Sequence, residues 1–161
     1  MREALQCRSY RQGCLELSRE SIRLHYEIRG NDFTYAGEAS SSVKKMLTQL
    51  GIDPVLVKRT AIAMYEAEIN AVIHANGGKA DVDIDSERIV IDITDEGPGI
   101  PDLNLAMQEG WSTAPDEIRE MGFGAGMGLP NIKRNADKLS IQTEVGKGTK
   151  LTITVNFKKS A

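Results

Sequence analysis

The stretch Ala63-Met64-Tyr65-Glu66-Ala67-Glu68-Ile69-Asn70-Ala71-Val72-Ile73-His74 sets a carboxylate, Glu66, and an amide, Asn70, four positions apart. Helical spacing stacks positions i and i+4 on one face, so the two groups look the same way. Ile62, Tyr65, Ile69, Val72 and Ile73 form an apolar stripe beside them, the pattern of a helix packed on a core. Upstream, Asp53-Pro54 reads as an N-cap with proline at the first helical position,. Downstream, Asn76-Gly77-Gly78 stops the helix near Ala75,. An amide oxygen suits a hard cation such as Mg²⁺, and a carboxylate can take a proton or orient a hydroxyl. His74 reads as a packed or capping residue.

Working outward, Ile22, Leu24, Tyr26 and Ile28 alternate with period two and predict a half-buried strand,. Residues 35–50 look helical and end at Gly51,. Val82 and Ile84, a Ser86-Glu87-Arg88 turn, and Ile89–Ile93 predict a hairpin,. Residues 99–126 hold no long periodic segment and read as a functional loop,. Leu129, Ile132, Ala136 and Leu139 mark one face of a further helix. Ile141–Val145, Gly146-Lys147-Gly148 and Leu151–Phe157 predict a closing hairpin, with Thr152, Thr154 and Asn156 on its other side. The order β-α-α-β-β-loop-α-β-β, with strands arriving in hairpins, implies an α+β chain. It should be a two-layer α/β sandwich with a mixed, mostly antiparallel sheet and helices on one face.

Two further motifs flank the loop. Asp95-Glu96-Gly97-Pro98-Gly99-Ile100 follows a strand directly. A carboxylate there can accept a hydrogen bond from an exocyclic amine, and the glycines let backbone approach a flat ring. Gly122-Phe123-Gly124-Ala125-Gly126-Met127-Gly128-Leu129-Pro130-Asn131 opens the last helix. Bare N–H groups at a helix N-terminus suit a phosphate chain. The run matches neither a P-loop nor the Rossmann spacing, and it follows a polar loop rather than a strand,.

Together the three motifs resemble the GHKL (Bergerat-fold) ATPases, the superfamily of gyrase-type ATPases and histidine kinases, over roughly residues 20–157. That resemblance implies bound ATP with Mg²⁺. It makes Asn70 the magnesium ligand, Glu66 the acid–base residue and Asp95 the reader of the adenine amine, with Gly97, Gly99 and Ile100 beside it. Gly124, Gly126, Met127, Gly128 and Leu129 then approach the phosphates, Thr149 backs the adenine site, and residues 100–126 form a lid. Glu66-x-x-x-Asn70-Ala71-x-x-His74, Ser112-Thr113-Ala114-Pro115-Asp116-Glu117-Ile118-Arg119 and Gly126-Met127-Gly128-Leu129 narrow the likeness to anti-sigma factor serine kinases. This implies a kinase acting on a serine of a small antagonist protein in a partner-switching system. A sigma factor is a further partner, Arg119 lies near the γ-phosphate, and the first strand and early helix form a homodimer face. The chain departs from that family in having Ala114 where a lysine is usual, in the inserted Glu120–Ala125, and in residues 1–19. A nucleotide-dependent binding module without transfer, a slow ATPase and a histidine-kinase-like catalytic domain stay open as alternatives.

At 161 residues the chain fits one domain,, here residues 20–158 as the ATP-binding domain with 1–19 as a tail or accessory segment. The net charge is −3 and the only basic runs are the pairs Lys44-Lys45, Lys58-Arg59, Lys133-Arg134 and Lys158-Lys159. Direct nucleic-acid binding needs a basic cluster to replace counterions, so none is expected. Cys7 and Cys14 lack neighbouring ligands for zinc and read as free thiols,. No window approaches the ~20 apolar residues of a membrane span, which points to the cytoplasm.

Overall fold

The computed structural model describes residues 20–158. The expected tail 1–19, with Cys7 and Cys14, lies outside the described residues. The elements run β1 (Ile22–Arg29), α1 (Glu38–Gln49), α2 (Pro54–His74), β2 (Gly77–Ile84), β3 (Arg88–Asp95), α3 (Leu103–Ala106), α4 (Asp116–Glu120), α5 (Gly128–Asn135), β4 (Lys138–Glu144) and β5 (Gly148–Asn156).

The five strands form one sheet in the order β1-β2-β3-β5-β4. Every neighbouring pair is antiparallel, so the mixed component expected from sequence is absent among the described residues. β3 and β4 do run in the same sense, but β5 lies between them and pairs with both. The crossover through the lid and α5 therefore never brings parallel strands into contact.

Period two puts Ile89, Ile91 and Ile93 of β3 and Leu151, Ile153 and Val155 of β5 on one buried face,. The α-helical layer covers that face, with α2 in the middle, touching α1, α5, β2, β3 and β5. The other sheet face is polar and laced with cross-strand pairs, among them Arg23–Asp83 at 3.3 Å and Lys150–Asp92 at 2.9 Å. His25 donates or accepts on both sides there, to Asp81 at 2.8 Å and Glu27 at 3.0 Å. Those two carboxylates, Asp81 foremost, raise its pKa above 6.5.

Asp53 caps α2 as expected, its side chain accepting from Val55 N at 2.8 Å. The buried side of α2 keeps Ile69 and Val72 of the expected stripe but not its other three residues. Ala63, Met64, Ala67, Ala71 and Val72 are within 1% of full burial, whereas Tyr65 is 39% exposed and Ile62 and Ile73 are half-buried. Small alanines let the helix lie close on the sheet, beside the larger Val57, Met64, Ile69 and Val72. Glu68, which belongs to no sequence motif, is 2% exposed. Its carboxylate accepts from the backbone N–H groups of Gly37 (3.0 Å), Ala39 (3.2 Å) and Ser40 (3.0 Å), capping α1. Three donors and the positive end of a helix offset the cost of burying the charge.

The expected helix over 129–139 ends early. Ala136 already has extended dihedrals at the C-cap of α5, and Leu139 belongs to β4. Leu139 fits a period of two with Ile141 as well as it fits a helical one with Ile132. What decides is Asp137, whose carboxylate takes Arg59 Nη2 at 2.8 Å and Asn156 N at 2.7 Å and pins the chain to α2 and β5. Burial pushes the Asp137 carboxyl up, but these bonds outweigh it and leave its pKa below 3.8.

Candidate functional site

A cleft of about 640 Å³ opens between α2, the ends of β3 and β5, and the segment 98–129. Of the residues expected at the site, Glu66, Asn70, Asp95, Gly99, Ile100, Gly124, Gly126, Met127, Gly128, Leu129 and Thr149 line it together. Gly97 and Arg119 do not. Gly97 lies behind Asp95, where a Cβ would collide with Ala75 Cα at 2.6 Å. Arg119 is exposed and donates from Nη2 to Ser112 O at 2.9 Å, within its own segment rather than into the cleft.

At one end of the cleft the strand β3 delivers Asp95. Its Oδ1 accepts from Gly97 N at 2.9 Å and Thr149 N at 3.1 Å. Its other oxygen takes no hydrogen bond from the described residues, so one acceptor stays open in a fixed place. Thr143 braces the same corner: its hydroxyl accepts from Ile100 N at 2.8 Å and lies 3.0 Å from the Thr149 hydroxyl. Thr143 carries no motif of its own, and only the pairing of β4 with β5 reveals it. His74 also lines this end. Burial lowers its pKa below 6.5, against the pull of Asp95, so the imidazole is neutral near pH 7.

In the middle, Glu66 and Asn70 project from one face of α2, one turn apart, as their spacing requires. The Asn70 side chain makes no hydrogen bond to the described residues and packs on Gly128, where a Cβ would come within 3.0 Å of Asn70 Oδ1. Glu66 Oε1 accepts from Asn131 Nδ2 at 2.8 Å, a partner that sequence reasoning named only as part of a run. The contacts Asn70–Gly128, Glu66–Asn131 and Arg59–Asp137 step backward along α2 as they step forward past α5. The two helices therefore run in opposite senses where they touch.

At the far end, α5 begins without a side-chain cap. The N–H groups of the first turn have no intrahelical partner, and Pro130 removes one that would otherwise need one. Met127, Gly128 and Leu129 present this bare helix start to the cleft. Gly122, Gly124 and Gly126 hold φ between 71° and 89°, a region that side chains avoid,. Protein already occupies the space beside two of them: a Cβ on Gly124 would meet Ala114 Cβ at 2.3 Å, and one on Gly126 would meet the Gly110 carbonyl carbon at 2.5 Å. These glycines serve the folding of the loop on itself.

The family profile described as a histidine kinase-like ATPase domain matches residues 30–155. The chain belongs to this family. That family is of the nucleotide-binding GHKL type. Among curated relatives, the serine/threonine-protein kinase RsbT of Bacillus subtilis is 31% identical over 124 residues, 74% of this chain and 85% of that protein. The anti-sigma F factor of Bacillus licheniformis is 33% identical over 130 residues, 76% of this chain and 84% of its own. The anti-sigma F factor of Geobacillus kaustophilus is 29% identical over 150 residues, covering 88% and 96%. A crystal structure of the RsbU and RsbW domains of a Mycobacterium tuberculosis protein shares the fold, with a TM-score of 0.58 at 16% identity. That match covers 87% of this chain and 34% of the other. Among the described residues no helix is long and apolar enough to cross a membrane.

Proposed function

We propose that the chain binds ATP with Mg²⁺ in this cleft and passes the γ-phosphoryl group to a serine of a small partner protein, as an anti-sigma-type kinase in a partner-switching system. The observation that carries the reading is the facing of Glu66 and Asn70 on α2 with the uncapped start of α5, between an open Asp95 acceptor and the lid. The names of the relatives agree with it: one is a serine/threonine-protein kinase and the others are anti-sigma factors.

The donor set fits each part of the ligand. The open Asp95 oxygen accepts from the adenine amine, with Thr149 and Thr143 holding it in register. The bare N–H groups of Gly128 and Leu129 stabilise phosphate charge at the positive end of α5. Asn70 offers a free amide oxygen and would hold the magnesium ion, which when bound neutralises charge on the phosphates. Glu66 orients the incoming serine hydroxyl and accepts its proton as the serine oxygen bonds to the γ-phosphorus. The bond from that phosphorus to the bridging oxygen breaks, and ADP leaves with the electron pair. A sigma factor would be the second partner, and a homodimer through β1 and α1 completes the reading. Sedimentation as a 17.6 kDa monomer with ATP present would remove the dimer from it.

One observation favours a second reading. Arg119 is held on Ser112 O and does not line the cleft, which suits a module that grips a partner when nucleotide orders the lid, without transfer. Labelled γ-phosphate decides between the two. With Mg-ATP and fractionated cytosol of the source organism, the wild type should label a protein on serine. Glu66→Gln should abolish labelling while still binding ATP. Nucleotide binding without any labelled protein would leave the binding module.

A further inference from the structure

We propose that Asn131 is a positioning residue: its side-chain amide fixes the Glu66 carboxylate in the cleft, and Arg134 with Glu109 ties that amide to the lid. The inference rests on the proposed reading of Glu66 as the acid–base group. Asn131 Nδ2 donates to Glu66 Oε1 at 2.8 Å across 65 residues of sequence. On its other side, Asn131 Oδ1 lies 3.5 Å from Arg134 Nη1. The same guanidinium pairs with Glu109 through Nη2. The order carboxylate, amide, guanidinium, carboxylate sets the polarity of the amide: only its nitrogen can donate to Glu66, and only its oxygen can face Arg134.

The backbone holds Asn131 as firmly as it holds the motif residues. Its N–H donates to Met127 O at 2.9 Å, the first helical bond of α5, and its carbonyl accepts from Asn135 Nδ2 at 2.9 Å. A carboxylate left to itself samples several rotamers, and one with a single fixed donor keeps an oxygen toward the cleft. Because Glu109 lies in the lid between α3 and Trp111, opening the lid loosens the outer end of the chain and with it the hold on Glu66.

The test separates a donor from a space filler. N131D keeps the volume and sets two carboxylates face to face, whereas N131A only removes the bond. Melting should fall by about 3 °C in N131A and by about 6 °C or more in N131D. Adding E66Q to N131D should recover at least half of the loss, because the amide then on α2 can donate to the carboxylate then on α5. Should N131D not fold alone, folding of E66Q/N131D is the recovery. In the γ-phosphate assay N131D should lower the rate at saturating ATP on the order of 100-fold. Its affinity for a non-hydrolysable ATP analogue should stay within about twofold of wild type. N131D melting like wild type, or E66Q bringing no recovery, overturns the inference. If the melting order holds but the wild type transfers no phosphate, the kinase reading fails and the hydrogen-bonded pair stands.

Discussion

The two sides of the cleft are built differently. The α2–β3–β5 wall carries Glu66, Asn70, Asp95 and Thr149 on elements whose other residues are the core: Met64, Ala67, Val72, Ile91, Ile93 and Ile153 are all within 1% of full burial. The lid, residues 100–126, has only Ala106 and Ala114 buried. Discrete contacts hold it instead. Phe123 stacks on Phe33 with ring centroids 5.2 Å apart, Gly110 N donates to Gly126 O at 3.0 Å, and Glu109 pairs with Arg134. Each is individually small. A region with few buried contacts can open without global unfolding. Under the proposed reading the wall is pre-formed for the part of a nucleotide common to ATP and ADP, and the lid is left free to respond to the part that differs.

The largest effect that this comparison predicts lies in the wall's support. Glu68→Ala removes the cap from three buried N–H groups of α1 and should cost about 3 kcal/mol of unfolding free energy, read from urea melts. A cost below about 1 kcal/mol would mean that α1 does not depend on this carboxylate. Next comes recognition. Asp95→Asn should weaken binding of an ATP analogue on the order of 30-fold by calorimetry, with melting changed little. GTP should bind worse than ATP to the wild type, since guanine has a carbonyl where adenine has an amine, and equal affinities would remove Asp95 from adenine reading.

The smallest effect is a pH dependence. The His74 pKa is lowered in the folded chain by burial. The unfolded state therefore binds the proton first as pH falls below about 6.5. His74 contributes stability that is fully present above that value and is lost as pH drops toward the folded pKa. H74Q should flatten the stability-against-pH curve below about pH 6.5 relative to wild type. Parallel curves would show that the imidazole is not held neutral by the wall.

The wall was legible in the sequence because its signals are local. Glu66 and Asn70 need only helical spacing, Asp95 only its place at a strand end, and Asp53-Pro54 only the chemistry of a helix start. The period of β1, β3 and β5 gave the sheet its buried face. What the sequence hid depends on pairing at a distance. Glu68 caps a helix about 30 residues upstream, Asn131 reaches Glu66 across the α2–α5 contact, and Thr143 meets Asp95's corner only through the β4–β5 register. The early end of α5 was hidden because Leu139 satisfies two periods at once. The contact of Arg119 with Ser112 O was hidden because no motif encodes where an exposed side chain of this segment turns.

Amide hydrogen exchange across residues 60–75 and 103–126, measured without nucleotide, with ADP and with a non-hydrolysable ATP analogue, tests the central claim most directly. Residues 60–75 should exchange slowly in all three states, because α2 is anchored by the core. Residues 103–126 should exchange fast without ligand, slow somewhat with ADP, and slow most with the ATP analogue, since ordering a segment costs entropy that only added contacts to the γ-phosphate can offset. Exchange across 103–126 that is the same in all three states would contradict the account.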